Sequence, residues 1–350
     1  MNILVTGGAG YLGSVLLPKL LARGHSVRVL DVGYFGVGHL RAVQPRIHLV
    51  REDVRRLITD PGFGRELLDG CDCVIHLAAI SNDPSAELNA ELTQEVNCQA
   101  TEALATLARA TRVKFVFSSS CSVYGQASGD LDEDGPVSPL TTYAVSKVAG
   151  ERALLDLSDA SWSPIILRNG TLFGYSPRMR FDLVANIFAL YCIVYNEIKV
   201  FGDGQQWRPF LHVNDCARAF VYFAELQTHE HTCYNIAHAN LRVVDLVEVF
   251  TRLNPRLRVE HLELPEQDER DYRVSTRRMR DEGFATRVDV EAGAEEMLDA
   301  IVGGLIPDPE SIFYRNAKWL RELTGIGGKN HRDIVHFMES LADMRQAART

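Results

Sequence analysis

The chain opens on short apolar, β-branched runs that alternate with longer amphipathic stretches. Residues 3–6, 27–31, 47–50, 73–77, 113–117 and 164–167 read as strands, each a brief apolar run bounded by polar or turn-forming residues. Residues 11–22, 90–109 and 142–157 carry apolar side chains at three- and four-residue spacing and read as helices. Strand and helix in alternation build βαβ units, so the pattern predicts an α/β fold with a doubly wound, Rossmann-type parallel sheet. After Arg168 the rhythm gives way to longer helical stretches broken by YSPRMR, FGDGQQWRP and LNPRLR. Residues 1–168 are expected to form the sheet domain, with a return of the chain near 205–240. Residues 169–350 are expected to form a smaller, mixed α/β substrate-binding lobe and C-terminal helices. Ligands of such folds lie beyond the carboxyl ends of the strands, which directs the search to the cleft between the lobes.

The first strand ends in TGGAGYLG, where Gly8, Gly10 and Gly13 fit G-x-G-x-x-G and run straight into a helix. Glycines there permit a tight turn and close approach of a pyrophosphate, and the helix N-terminus faces its negative charge. At the end of the second strand, Asp31 is placed to accept hydrogen bonds from ribose hydroxyls and to repel a 2′-phosphate, which favours NAD over NADP. Asp53, in REDVRR, suits the adenine side of the same cofactor, or else an ordinary helix N-cap.

Tyr143 and Lys147, in YAVSK, are four apart at the start of a helix and project from one face. A free tyrosine titrates near pH 10, so service as a base near neutrality requires that it be pulled well down. A nearby ammonium and the positive nicotinamide of an oxidised cofactor are suited to that. The fifth strand runs into FVFSSSCSVYG, from which Ser120 is placed to hydrogen-bond a substrate hydroxyl and pass its proton to Tyr143. Ser118 and Ser119 compete for that role.

The net charge of −9, with no long basic run, argues against nucleic acid or an anionic membrane as partner. MNILVTGG lacks the basic region and cleavage site of a secretory signal, and the apolar stretch at 183–195 is too short to span a bilayer, so a cytoplasmic protein is expected. Seven scattered cysteines do not form a disulfide framework, and Cys71 and Cys73 make only a C-x-C. His229 and His231 read as a solvated loop, and no metal is expected.

TGGAGYLG, Asp31, HLAA at 76–79, SSSCSVYG and YAVSK resemble, in order, the signatures of the extended short-chain dehydrogenase/reductase family. LRNGTLFG, FGDGQQWRPFLHVNDCARA and YNIA resemble later segments of its sugar-nucleotide epimerases and dehydratases, while the last seventy or so residues add little. The resemblance implies that Gly7, Gly10, Tyr11, Leu12, Gly13, Asp31, Asp53, Val54, Leu77, Ala78, Ala79, Asn97, Ser118, Tyr143 and Lys147 hold NAD. It assigns catalysis to Ser120, Tyr143 and Lys147, with Lys147 lowering the tyrosine and holding the nicotinamide ribose. A sugar nucleotide would meet Ser120, Ser122, Asn169, Thr171, Arg178, Arg180, Arg208 and Arg270, the last two standing where the family contacts the diphosphate. The implied reaction is C4 epimerisation through a transient 4-keto sugar, with hydride passing to and from bound NAD. Cys121 and Ser122 replace the Asp and Glu of 4,6-dehydratases, which disfavours elimination. Net oxidation or reduction at C4, and a non-catalytic NAD-binding regulator, are the competing readings. Cys121 reads as structural, being three positions before Tyr124, where cysteine-using 3,5-epimerases of the family place theirs two before. The resemblance also implies a homodimer in which helices 90–109 and 142–157 pair with their copies as a four-helix bundle.

Overall fold

The computed structural model describes residues 1–263 and 270–327. The strands are β1 (Asn2–Thr6), β2 (Ser26–Leu30), β3 (Ile47–Val50), β4 (Cys73–His76), β5 (Lys114–Ser120), β6 (Gln126–Leu131), β7 (Ile165–Asn169), β8 (Thr171–Phe173), β9 (Glu197–Phe201), β10 (Trp207–His212), β11 (Cys233–Ile236), β12 (Ala239–Arg242), β13 (Arg258–Leu262) and β14 (Asp271–Val274). Seven of them form one sheet in the order β11-β7-β5-β4-β1-β2-β3. Every pairing in it is parallel, with Val5 opposite Val29 on one side and Ile75 on the other. This is the doubly wound sheet that the alternation predicts, its order reversing between β1 and β4.

The strands are short apolar runs because both sheet faces are covered. Side chains alternate along β1: Ile3 and Val5 join a core with Leu16, Leu20 and Phe220, whereas Leu4 joins Leu104, Phe115 and Trp162 on the opposite face. Helix α1 (Tyr11–Ala22) and the helix Thr142–Leu157 have the bounds read from the sequence. The expected helix 90–109 is two α segments, Ala90–Gln94 and Ala100–Thr111, joined by the π-turn Glu95–Gln99. The polar run SSS does not leave the sheet where β-propensity falls; β5 carries it to Ser120, delivering the serines to the strand ends.

The returning segment differs in detail from expectation. Helix Val213–Glu225 and β11 rejoin the large sheet, but β10 pairs with β12 and β8 in a separate three-stranded sheet. The remaining strands form two parallel pairs, β13–β9 and β14–β6. Among the described residues no helix is long and apolar enough to cross a membrane. Of the C-terminal part, residues 328–350 lie outside the described residues.

Candidate active site

A cleft of about 310 Å³ runs along the carboxyl ends of β1, β2, β4 and β5. Its first wall is the turn after β1. Gly7 has φ +72°, and a Cβ there would stand 2.6 Å from the Ala78 nitrogen; at Gly13 it would stand 2.5 Å from the Gly8 carbonyl oxygen. Only glycine fits at either position, because a side chain would run into neighbouring backbone; the turn thus packs tightly against the end of β4, and α1 begins at once with Tyr11. The ends of β1 and β4 are bolted together behind it: Thr6 Oγ1 and His76 Nδ1 are 2.6 Å apart, and His76 Nε2 lies 2.8 Å from Thr101 Oγ1. Burial pushes His76 down to about 3, so the ring is a neutral strut.

Asp31 accepts from the Ala9 nitrogen at 2.8 Å and the Gly33 nitrogen at 2.7 Å, which fixes its carboxylate at the cleft edge. Each oxygen keeps a lone pair for a ribose hydroxyl. Asp53 and Val54 line the same end, Asp53 held by the Arg55 guanidinium at 2.8 Å. Leu77, Ala78, Ala79 and Ser118 continue the lining. Asn97 does not reach the cleft. It is fully buried behind it, bonding both polar groups of Ile80 and the Ser146 hydroxyl, and so shapes the loop after β4. These residues fit a dinucleotide: a side-chain-free turn at a helix N-terminus, an anchored carboxylate for a ribose, and an apolar shelf.

At the middle of the cleft Tyr143 and Ser120 line the same wall, close enough for the serine to pull the phenol's titration down. Ser120 Oγ accepts from the Ser122 nitrogen at 3.1 Å. Burial, and the Asp83 carboxylate after it, push Tyr143 up to about 12, against the opposite pull of Arg180 and Ser120. The phenol thus stands above its ordinary range in the protein by itself, and Arg180 is a cation acting on it that sequence reading did not assign to this role. Lys147 lies over the Tyr143 ring, 5.8 Å from its centroid, and donates to the Ser118 carbonyl at 2.8 Å. Burial lowers Lys147 to about 8. Cys121 takes no part: its thiol is fully buried, pushed well up by desolvation, and donates to the Arg168 carbonyl.

The far wall gathers Ser122, Asn169, Thr171, Arg178, Arg180 and Arg270. Arg180 is clasped by Asp182 through two bonds of 2.9 and 3.1 Å. Arg270 pairs with Asp83, whose other oxygen accepts from Thr141. Arg208 stands behind this wall, donating to the carbonyls of Trp207 and Arg270. Sequence reading missed Asp83, Tyr272, Tyr34, Phe35, Asn316 and Leu320, all of which line the cleft. The last two belong to the helix Asn316–Gly327, in the region set aside as adding little. Its signal was the amphipathic stretch NAKWLREL, which shows a packed helix but not its location.

Fold and cleft together define an NAD-dependent enzyme built on a Rossmann-type sheet. Residues 3–237 match the NAD dependent epimerase/dehydratase family, and the chain belongs to it. A relative from Bacillus subtilis, named an uncharacterized UDP-glucose epimerase YtcB, is 33% identical over 234 residues, covering 63% of this chain and 72% of its own. A dTDP-glucose 4,6-dehydratase of Streptomyces griseus is 32% identical over 309 residues, 83% of this chain and 91% of its own. The crystal structure of UDP-glucuronic acid 4-epimerase from Bacillus cereus in complex with NAD superposes with a TM-score of 0.75 at 26% identity, over 87% of this chain and 99% of that one.

Proposed function

We propose that this protein interconverts sugar nucleotides epimeric at C4. The observation that carries the reading is the juxtaposition of Ser120, Tyr143 and Lys147 in a cleft fitted for a dinucleotide, with Cys121 and Ser122, not carboxylic acids, following Ser120. Bound NAD supplies a reversible two-electron acceptor for the C4–H bond. Tyr143 takes the proton of the C4 hydroxyl, which Ser120 holds in line, and returns it to the same oxygen once the sugar has presented its other face. Lys147 holds the nicotinamide ribose from the Ser118 side, while Gly7, Gly10, Tyr11, Leu12, Gly13, Asp31 and Asp53 seat the rest of the dinucleotide. Arg270 serves the diphosphate by exchanging Asp83 for a phosphate oxygen, and Arg208 supports it from behind.

Mass spectrometry and chromatography of protein incubated with UDP-glucose and with UDP-glucuronic acid test this. A product of unchanged mass and altered C4 configuration is expected, with no net NADH. Loss of water from the sugar would overturn it in favour of dehydration, and accumulation of NADH in favour of net oxidation.

The proposal includes a homodimer. Val145 and Leu155, on the helix that carries Tyr143, are 44% and 47% exposed, with Leu140 exposed just before it. Exposed apolar side chains on one of the expected dimer helices suit a two-fold bundle. Sedimentation at micromolar concentration should give twice the chain mass, and V145E should give the monomer. A monomeric parent protein would end this part of the proposal. A cytoplasmic location accords with the seven free cysteines.

A further inference from the structure

Arg178 is one of the largest fully buried side chains of the molecule, at 2% exposure. Its Nη2 donates to Asn316 Oδ1 at 2.6 Å, its Nη1 reaches the Met179 carbonyl at 3.3 Å, and its plane lies 3.8 Å from the centroid of the Phe35 ring. Its Nε has no hydrogen-bond partner among the described residues. A buried guanidinium with an unused donor is expensive unless an anion completes it. The nearby carboxylate of Asp182 is already clasped by Arg180, and Asp31 is engaged by two backbone nitrogens. Burial, with Arg180 adding to it, pulls Arg178 down to about 9, against the opposite pull of Asp182 and Asp31.

Its place in the cleft identifies the missing anion. The segment bearing Arg178 is tied to the first residue of α1: Tyr11 Oη donates to the Gly174 carbonyl at 2.6 Å, and Ser176 Oγ donates to the Tyr11 carbonyl at 2.7 Å. The Arg178 nitrogen in turn donates to Ser176 Oγ. Arg178 therefore lines the cleft on a segment tied to the α1 N-terminus and within electrostatic reach of the ribose anchor Asp31, in the same cleft as Ser120 and Tyr143. A dinucleotide spanning those two points carries its pyrophosphate between them.

We propose that Arg178 is a ligand of the cofactor pyrophosphate, not of the sugar nucleotide, and that the helix Asn316–Gly327 is the strap that holds it there. Asn316 grips the guanidinium and, through its nitrogen, Asp182 Oδ2 at 3.2 Å; Trp319 Nε1 donates to the Tyr34 carbonyl at 2.7 Å, closing the helix onto the loop that carries Phe35. A charge-assisted bond to a buried phosphate slows cofactor release, which suits an enzyme that must keep its NAD between the two halves of one turnover. The inference rests on the reading of the cleft as an NAD site.

Exchange of bound NAD for labelled NAD, and competition by ADP and adenosine, decide it. R178Q should speed exchange and weaken ADP by roughly 10- to 100-fold, the effect of losing one charged hydrogen bond, while adenosine competes unchanged. N316A, which keeps the charge but frees the guanidinium, should give a smaller change in the same direction; it provides the test if R178Q does not fold. Unaltered exchange in both folded variants, or in N316A alone should R178Q fail to fold, overturns the proposal. So does a loss confined to UDP-glucose binding. A parent protein that binds no NAD at all would instead overturn the reading of the cleft.

Discussion

Replacing Tyr143 with Phe is expected to lower kcat by roughly a hundred- to ten-thousand-fold, the usual cost of removing a positioned acid/base, while NAD and UDP-glucose bind as in the parent. The substitution removes one hydroxyl from a ring that otherwise keeps its packing. In the unliganded protein the phenol is held up to about 12 by burial and by Asp83, so its ionisation depends on charge that arrives with the ligands, aided by Arg180 and Ser120. A raised phenol loses its proton more fully as pH increases. The parent rate should therefore climb across the neutral range and level off at high pH, and the residual rate of Y143F should lack that dependence. Absorbance of reduced cofactor after mixing substrate with NAD-loaded protein reads both. If Y143F reduced its bound NAD within about tenfold of the parent rate, the base would be another group.

What could be read from the sequence was whatever one element or one turn carries by itself. Gly7 to Gly13 is a local turn, Asp31 closes a strand, and Tyr143 and Lys147 share a helix face, so spacing alone groups them. The parallel sheet was legible for the same reason, since a strand buried on both faces writes an unbroken apolar run. The far wall was not. Asp83 meets Arg270 across 187 positions, and Arg178 meets Asn316 across 138. No periodicity links such pairs, because their juxtaposition follows from how the chain after β7 and the helix Asn316–Gly327 fold back on the sheet. The same limit explains Arg178 itself: its motif marked a cation for the ligand, but only the bonds between Tyr11 and the Gly174–Ser176 segment tie that cation to the start of α1. It also explains Asn97, which the resemblance groups with the cofactor residues yet which spends its amide on Ile80 and Ser146.

The helix bearing Tyr143 and Lys147 continues to Glu151, and substituting Glu151 with Gln is expected to destabilise the protein by about 3–5 kcal/mol, the cost of stranding a buried charge. Glu151 and Arg168 are 3% and 6% exposed. Arg168 Nε and Nη2 grip the carboxylate at 2.7 to 3.2 Å, and the remaining Nη1 donates to the Tyr124 hydroxyl at 2.9 Å and the Glu133 carbonyl at 3.3 Å. Ser119 donates to the same carboxylate from the end of β5. The pair thus fastens the catalytic helix to β7 and to the strand that presents Ser120, one residue on. Gln keeps the shape and one acceptor but removes the charge, so the guanidinium is left desolvated without its counter-ion. Replacing both partners together, as E151L with R168M, should recover much of the loss, because no buried charge then remains. Guanidinium unfolding at fixed NAD concentration measures all three, the fixed ligand being necessary because bound cofactor adds stability of its own. A loss below about 1 kcal/mol for E151Q would be the behaviour of a solvent-exposed pair and would show that water reaches Arg168. The double variant separates charge from packing: if it were as unstable as E151Q, the helix would be held by the fit of the two side chains and not by their attraction.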